Sequence, residues 1–243
     1  MKESYEQRTK IKIPRRTYTL IRIDGKAFHT LTKKIKSEKP FDTKLMDTMD
    51  ATALHLCNNI QGAQLAYVQS DEISILLTDF ETIDTEAWFD GNVQKMASVS
   101  ASLATSAFNR AGGYDVDANF DSRVWQIPDA VEVVNYFVWR WQDWERNSIQ
   151  MLARSLYSHK ELHKKNVNEL HDLIHAKGQN WADLSKSLKN GRLVVRKPTM
   201  VAVGDGTHGS VERNKCVLEP MYNLKDAGEK NAFKALIPFP GYE

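Results

Sequence analysis

The sequence predicts an α+β fold, in which a ferredoxin-like βαββαβ unit with an antiparallel sheet is followed by a largely helical half. Three observations carry this prediction. In the first half, short apolar and β-branched runs alternate with amphipathic stretches in the order strand-helix-strand-strand-helix-strand, which is the split βαβ arrangement. In the second half, long stretches have apolar residues at helical spacing. No repeat or low-complexity linker separates the halves, so residues 1–128 and 129–243 should pack as one compact unit.

The elements of the first half follow from their local patterns. Residues 42–58 have apolar side chains at helical spacing, and Asp42 is the predicted N-terminal cap. A second helix over 93–110 is rich in Ala and Ser, so it can lie close to a sheet. Ser70 and Asp71 should fall at or beside the turn between the two central strands. Strands are predicted over 17–24, 64–69, 72–78 and 123–127.

The second half changes character. Its apolar spacing predicts a long helix over 129–157 and shorter ones over 166–176 and 181–188. Gly191 then opens a basic strand over 192–197, which Pro198 closes. The tail from Gly204 is rich in Gly, Asp, Asn and Pro, and we expect it to be loop-rich with short strands.

Composition is that of a soluble globular protein, with 42% hydrophobic and 26% charged residues in 243. No apolar run approaches the roughly 18 residues that span a bilayer, and residues 1–12 lack a signal-peptide core. Only Cys57 and Cys216 are present, too few for a disulfide framework. We therefore expect a cytoplasmic protein with no membrane partner. Net charge is only +2, but basic clusters at 8–16, 160–165 and 186–197 are compatible with RNA contact.

Two acidic strand ends carry the chemistry. One apolar strand delivers Asp24 directly into Gly25, and a later strand pair meets at Ser70-Asp71-Glu72. Asp-Gly alone is commonly just a turn, but two carboxylates converging at one sheet edge suit Mg²⁺, which takes oxygen ligands and keeps waters and phosphate oxygens. Adjacent strand residues point to opposite faces, so Asp71 and Glu72 should not both bind metal. The pattern indicates phosphoryl or nucleotidyl transfer.

Other polar segments admit two interpretations each. Residues 25–29 could present successive backbone amides to a triphosphate, or form a simple strand-to-helix loop. Lys39 and Lys95 are natural basic partners for that anion, although each alone could be a surface lysine. His159 and His163 are four residues apart, as are His171 and His175, but without nearby cysteines RNA phosphate or solvent is a better partner than zinc. For most of the tryptophans at 125, 139, 141 and 144, helical spacing favours core packing over base stacking.

Together these motifs closely resemble the tRNA-histidine guanylyltransferase superfamily, and within it the guanylyltransferase-like branch of 3′-5′ polymerases. The resemblance runs from about residue 22 to residue 197, most of the chain. It rests on Arg22-Ile23-Asp24-Gly25-Lys26 with Phe28-His29, Lys39-Pro40, Gln69-Ser70-Asp71-Glu72, Phe120-Asp121-Ser122-Arg123-Val124, Trp139-Arg140, Arg146-Asn147-Ser148-Ile149-Gln150-Met151 and Ser158-His159-Lys160-Glu161-Leu162.

The resemblance implies a polymerase-type palm, a homotetramer, and a reaction that uses two Mg²⁺ ions with ATP or GTP. Asp24 and Asp71 would be the catalytic metal ligands, together with the backbone carbonyl of Gly25, while the role of Glu72 stays open. The implied nucleotide contacts are Asp24, Gly25, Lys26, Ala27, Phe28, His29, Ser70 and Asp71, with Lys39 and Lys95 near the phosphates. Candidate RNA contacts are Arg146, Asn147, His159 and Lys160.

One departure bears on the substrate. The histidine-specific enzymes carry His-Ile-Asn-Asn after the Trp-Arg motif, whereas this chain has Glu145-Arg146-Asn147-Ser148. The resemblance therefore favours template-dependent repair of a 5′-truncated tRNA, with nucleoside triphosphates as the other substrates. The alternatives are a histidine-specific guanylyltransferase, a palm-fold nucleotide cyclase, and a catalytically idle RNA-binding module.

Overall fold

A single antiparallel sheet of six strands forms the centre of the chain, in the order β4-β1-β3-β2-β5-β6. The computed structural model describes residues 1–202 and 210–240. The prediction that the central hairpin lies beside the first strand is confirmed, because β2 and β3 form that hairpin and β3 pairs with β1. The strands are β1 (Tyr18–Gly25), β2 (Ala63–Gln69), β3 (Glu72–Leu77), β4 (Phe120–Ile127), β5 (Arg192–Ala202) and β6 (Ser210–Pro220).

Helices cover both faces of the sheet. Those of the first half are α1 (Phe28–Lys34), α2 (Thr43–Asn59) and α3 (Val93–Gly112). Those of the second half are α4 (Ala130–Leu156), α5 (His159–Leu162), α6 (Val167–Ala176), α7 (Lys186–Asn190) and α8 (Ala227–Lys234). The predicted cap of α2 is confirmed, because the Asp42 side chain accepts a hydrogen bond from the Leu45 amide at 2.9 Å. In the described part of the chain, no helix is long and apolar enough to cross a membrane.

The side chains of β1 alternate between the two faces of the sheet, which explains why two cores form. Ile21 and Ile23 belong to the core beneath α2 and α3, whereas Leu20 belongs to the core beneath α4 and α8. Successive strand residues point to opposite faces, so Arg22 and Asp24 share the α4 face with Leu20. A third small cluster joins the last turns of α4 to α6.

The expected short strands in the tail are wrong, since β6 has 11 residues and pairs with β5 along its whole length. β5 also pairs with β2, so the sheet continues across residue 128. Residues 203–209, with the predicted start of the loop-rich tail at Gly204, lie outside the described residues. The predicted helix over 181–188 is two pieces, a 3-10 turn at Trp181–Asp183 and α7, because Leu184 and Ser185 have extended ψ angles of 151° and 154°.

Candidate active site

Asp24 and Asp71 lie at one edge of the sheet, where β1 ends and β3 begins. β1 and β3 are antiparallel neighbours in which Asp24 pairs with Glu72. The Gly25 amide donates to the Asp71 carbonyl oxygen at 3.1 Å, which joins the end of β1 to the turn before β3. Both aspartates are partly exposed. The structure therefore brings together the two carboxylates that the sequence singled out.

The electrostatics of this edge disfavour two free carboxylates. Burial raises the pKa of Asp71 to about 6, with a further contribution from the negative charge of Asp24. The pKa of Asp24 is also raised, first by burial and then by the charges of Glu72 and Asp121. Such clustering of negative charge is typical of functional sites. A bound cation would relieve the repulsion.

The turn after Asp24 has no room for a side chain. A Cβ at Gly25 would overlap the ring of Phe28, which itself packs on Phe108 and Phe120 at centroid distances of 5.4 and 5.2 Å. Ala27 follows at φ 55°, in the left-handed region, and reverses the chain into α1. The glycine is thus required for close packing of the turn on the core.

We expect Gly25→Ala to lower the free energy of unfolding by about 1–3 kcal/mol, the usual range for overpacking a core, and to reduce nucleotide addition. Urea denaturation and a turnover assay would measure both. Gly228→Ala in α8 is the matched control and should be neutral or stabilising, since alanine favours helix. An unchanged midpoint in Gly25→Ala would show that the Phe28 ring moves aside at no cost.

The backbone amides of 25–29 are only partly available to a ligand. Gly25 donates to the Asp71 carbonyl, and Lys26 donates to the Asn119 carbonyl at 2.8 Å. These two bonds hold the turn against β3 and against the segment before β4. The hypothesis of a five-amide phosphate cradle is therefore narrowed to the amides of Ala27, Phe28 and His29, for which the described residues provide no hydrogen-bond acceptor.

Glu72 is held by a buried arginine. Arg140 of α4 donates to both carboxylate oxygens of Glu72, at 2.7 and 2.6 Å, and also to Asp143 at 3.1 Å. Gln69 and Ser74 donate to the same Glu72 carboxylate at 3.0 and 3.3 Å. Glu72 is therefore a structural anchor between β3 and α4, on the face that Asp24 also occupies. Sequence reasoning missed this pair, although Glu72 and Trp139-Arg140 both lay in the motifs it used.

Two arginines and two tryptophans form a cluster of cation–π contacts beside the site. The Arg22 guanidinium lies 5.9 Å from the Trp125 ring and 5.8 Å from the Trp139 ring, and Arg140 lies 4.7 Å from Trp139. Trp139 is 51% exposed because it lies on the outer side of α4, so it is not one of the tryptophans that pack in the core. Core packing is confirmed for Trp141 and Trp144, which are 1% and 2% exposed.

Comparisons with known proteins agree with this geometry. The family pattern of tRNAHis guanylyltransferase (Thg1) matches residues 1–128, more than half of the chain. The chain is 30% identical to the tRNA(His) guanylyltransferase of Schizosaccharomyces pombe over 199 residues, covering 75% of this chain and 74% of that protein. This chain belongs to the tRNA(His) guanylyltransferase family.

Solved structures of relatives support the assignment. A bacterial tRNA(His) guanylyltransferase (Thg1)-like protein in complex with ATP superimposes with a TM-score of 0.85 and 36% identity, covering 98% of this chain and 97% of that one. A bacterial Thg1-like protein in complex with GTP gives a TM-score of 0.81 and 35% identity over 96% and 95% of the chains. The chain is accordingly a nucleotidyltransferase of the Thg1 family, with the fold of these Thg1-like proteins.

Of the two predicted phosphate-binding lysines, one lies at the correct end of the sheet. Lys39 is exposed in the loop that leads into α2, and α2 starts at the edge where β2 ends. Lys95 lies elsewhere. Thr105 of α3 bonds the Phe120 amide at 3.2 Å, level with Gly25, and Lys95 is ten residues earlier, about 15 Å back along the helix. Within one chain, the structure does not bring Lys95 to Asp24 or Asp71.

The predicted RNA contacts are exposed and lie along or just beyond α4. The Arg146 side chain is 57% exposed and donates to Asp143 at 3.0 Å. Asn147 lies one residue on, also exposed, with its amide 3.5 Å from the same aspartate. His159 and Lys160 are exposed in the short helix α5. In residues 1–202 and 210–240, no group of three or more His, Cys, Asp or Glu side chains is arranged to hold a metal ion.

Proposed function

We propose that this chain adds nucleotides in the 3′-5′ direction to the 5′ end of a truncated tRNA, under the direction of the opposing base. The observation that carries the proposal is the convergence of Asp24 and Asp71 at neighbouring strand ends, inside a Thg1-family fold whose first four strands have the ferredoxin-like order of a polymerase palm. Bound nucleotides in two related bacterial proteins support the use of ATP and GTP.

The donor set fits Mg²⁺. Asp24 and Asp71 supply carboxylate oxygens and Gly25 supplies a carbonyl oxygen, all hard ligands that leave positions for water and phosphate. Burial, and after it the charges of neighbouring carboxylates, raise the pKa of both aspartates, and a bound divalent cation would favour their charged forms. When bound, two Mg²⁺ ions would acidify the attacking hydroxyl and neutralise charge on the leaving group.

The other candidate residues would bind and orient the triphosphate. We assign the amides of Ala27, Phe28 and His29, with Ser70 and Lys39, to the binding of a triphosphate beside Asp24. Lys26 extends from the same turn and is exposed. Lys95 would have to act from another chain, which accords with the homotetramer predicted from the resemblance. That assembly stays a prediction.

The reaction has two parts. The RNA 5′ end is first activated, as a triphosphate or by adenylylation from ATP. The 3′-hydroxyl of an incoming nucleoside triphosphate then attacks the activated 5′ α-phosphorus and releases its proton to solvent. The bond from that phosphorus to pyrophosphate or AMP breaks as the new bond forms. In this scheme Asp24 and Asp71 would hold the metal ions that position the phosphates for attack. Glu72 is bound by Arg140 and takes no part in the reaction.

Repair is favoured over histidine-specific addition because of the segment after Trp139-Arg140. Glu145 is bound to Lys225 at 2.6 Å, and the two residues after it, Arg146 and Asn147, face solvent. The specific enzymes carry His-Ile-Asn-Asn in this segment. The curated relatives are tRNA(His) guanylyltransferases, which keeps histidine-specific addition as the second candidate, whereas family membership argues against a cyclase.

The deciding experiment uses one tRNA body lacking its first nucleotide, with the opposing base varied through all four identities. We expect addition of the Watson–Crick complement in each case, since pairing and stacking supply on the order of 1.4 kcal/mol per step. Thin-layer analysis of the labelled 5′ nucleotide gives the readout. The same series with a histidine anticodon is the control. Addition of G whatever the opposing base, and only with that anticodon, would transfer the assignment to the guanylyltransferase.

A further inference from the structure

A basic pocket lies far from the proposed chemistry, between the end of α4 and the start of α6. Its volume is about 220 Å³. Its apolar lining residues are Leu162 and Leu170. Its polar lining residues are Gln150, Arg154, His159, His163, Lys164 and Lys165. No carboxylate lines it. The rings of His159 and His163 are 6.3 Å apart, close enough to face one small anion together.

Two acidic side chains in the segments that line the pocket, Glu161 and Glu169, are already engaged. Glu161 accepts from the amide and the hydroxyl of Ser158, at 2.8 and 2.6 Å, in the cap of α5. Glu169 accepts from the Asn166 amide at 2.9 Å and pairs with Lys165 at 2.8 Å. Among the described residues, the side chain of Arg154 donates only to the neutral Gln150, at 3.3 Å. Glu161 and Glu169 therefore do not pair with Arg154 or Lys164.

The pocket is in line with the candidate active site. Arg140 marks the site on α4, and Arg154 comes fourteen residues later. At 3.6 residues per turn this is close to four complete turns, so the two side chains leave the same side of the helix about 21 Å apart. Asn147 lies midway on the same side and is exposed. An elongated polyanion that follows this side of the helix could therefore extend from the candidate active site to the pocket.

We propose that this pocket binds a backbone phosphate of the RNA stem whose 5′ end lies at Asp24. The inference rests on the proposed function for the location of that end. Guanidinium, ammonium and imidazole donors around a small cavity suit a phosphate, and duplex RNA is recognised largely through phosphate and 2′-hydroxyl contacts along its length. Arg154 and His163 supply donors from two different elements, so the phosphate would tie the end of α4 to the loop after α5.

The test measures binding of a 5′-truncated tRNA to the full chain by fluorescence anisotropy, without nucleotide or Mg²⁺. We expect Arg154→Ala and His163→Ala each to raise the Kd about five- to tenfold near 0.1 M salt. The slope of log Kd against log salt should fall by about one for each charged side chain removed from an RNA phosphate. This assay measures RNA binding and no reaction. An unchanged Kd in the variants would therefore contradict the pocket proposal, whereas a failure of the proposed function would be seen only in the nucleotide-addition assay.

Arg110→Ala is the matched control. Arg110 is an exposed helical arginine bonded to a residue four positions earlier, at 3.1 Å, as Arg154 is, but it lies on α3 at the opposite face of the sheet. Its tRNA affinity should equal that of the parent chain. Unchanged affinity in both pocket variants would overturn the proposal.

The anion that this pocket binds could be a phosphate of the RNA backbone or free pyrophosphate. Calorimetric titrations with inorganic phosphate and with pyrophosphate distinguish these two sources. Weak binding of either, with weaker RNA binding in the variants, supports the RNA assignment. Tight pyrophosphate binding that the variants abolish, with RNA affinity intact, would make the pocket a product site and overturn it.

Discussion

Asp24→Asn and Asp71→Asn should each reduce nucleotide addition by on the order of 10³-fold or more, if these carboxylates hold the metal ions that position the reacting phosphates. Asparagine keeps the shape of the side chain and removes the charge. Both positions are partly exposed at the strand ends, so the loss would reflect chemistry rather than unfolding. A turnover assay with a triphosphorylated, truncated tRNA bypasses the activation step and isolates nucleotide transfer.

The same variants should be more stable than the parent chain in metal-free buffer. A free aspartate titrates near 4, whereas burial and Asp24 raise the pKa of Asp71 to about 6. Between these values the folded chain retains a proton that the unfolded chain has released, so stability falls as the pH rises through this window. The gain from Asp71→Asn should therefore be at most about 3 kcal/mol at pH 7.5 and shrink toward pH 4.

Thermal melts in EDTA and in Mg²⁺, at pH 4.5 and 7.5, would test this. Magnesium should stabilise the parent chain and leave both asparagine variants unchanged. Asp121→Asn is the matched control, because Asp121 pairs with Asp24 across β1 and β4 but its side chain is 54% exposed beside Arg123. It should retain activity and magnesium stabilisation. Near-normal turnover in Asp24→Asn or Asp71→Asn would remove the metal assignment.

Sequence reasoning located the carboxylates because strand ends are governed by local rules. The alternating pattern of β1 ends on Asp24, and Ser70-Asp71 interrupts an apolar hairpin, so both turns were visible without tertiary information. Asp42 was predicted as a cap for the same reason. The family motifs then added an expected chemistry to positions that the local pattern had already marked.

Pairings between distant segments were not predictable in this way. Arg140 and Glu72 are 68 positions apart, and only the crossing of α4 over β3 makes them partners. Trp139 differs from Trp141 in the side of α4 it occupies, which depends on how that helix sits on the sheet. β6 lacks a strong apolar alternation, and it forms because β5 offers it an edge to pair with.

Arg140→Met should lower the free energy of unfolding by about 3–5 kcal/mol, the largest stability effect that we expect in this chain. The Arg140 and Glu72 side chains are 10% and 8% exposed, and removing one member of a buried pair leaves the other charge without compensation. The orphaned Glu72 carboxylate would also add unpaired negative charge beside Asp24, so nucleotide addition should fall as well.

A double-mutant cycle in urea separates the pair from its surroundings. Glu72→Gln combined with Arg140→Met should be markedly more stable than the sum of the single losses predicts, since neither charge is then left alone. Arg146→Met is the matched control: it lies on the same helix and bonds the same Asp143, but its side chain is 57% exposed, so the change should stay within about 1 kcal/mol. If the losses in the free energy of unfolding were additive, Arg140 would stabilise α4 through Asp143 and Trp139 instead of through Glu72. Glu72 would then need no cation to remain buried.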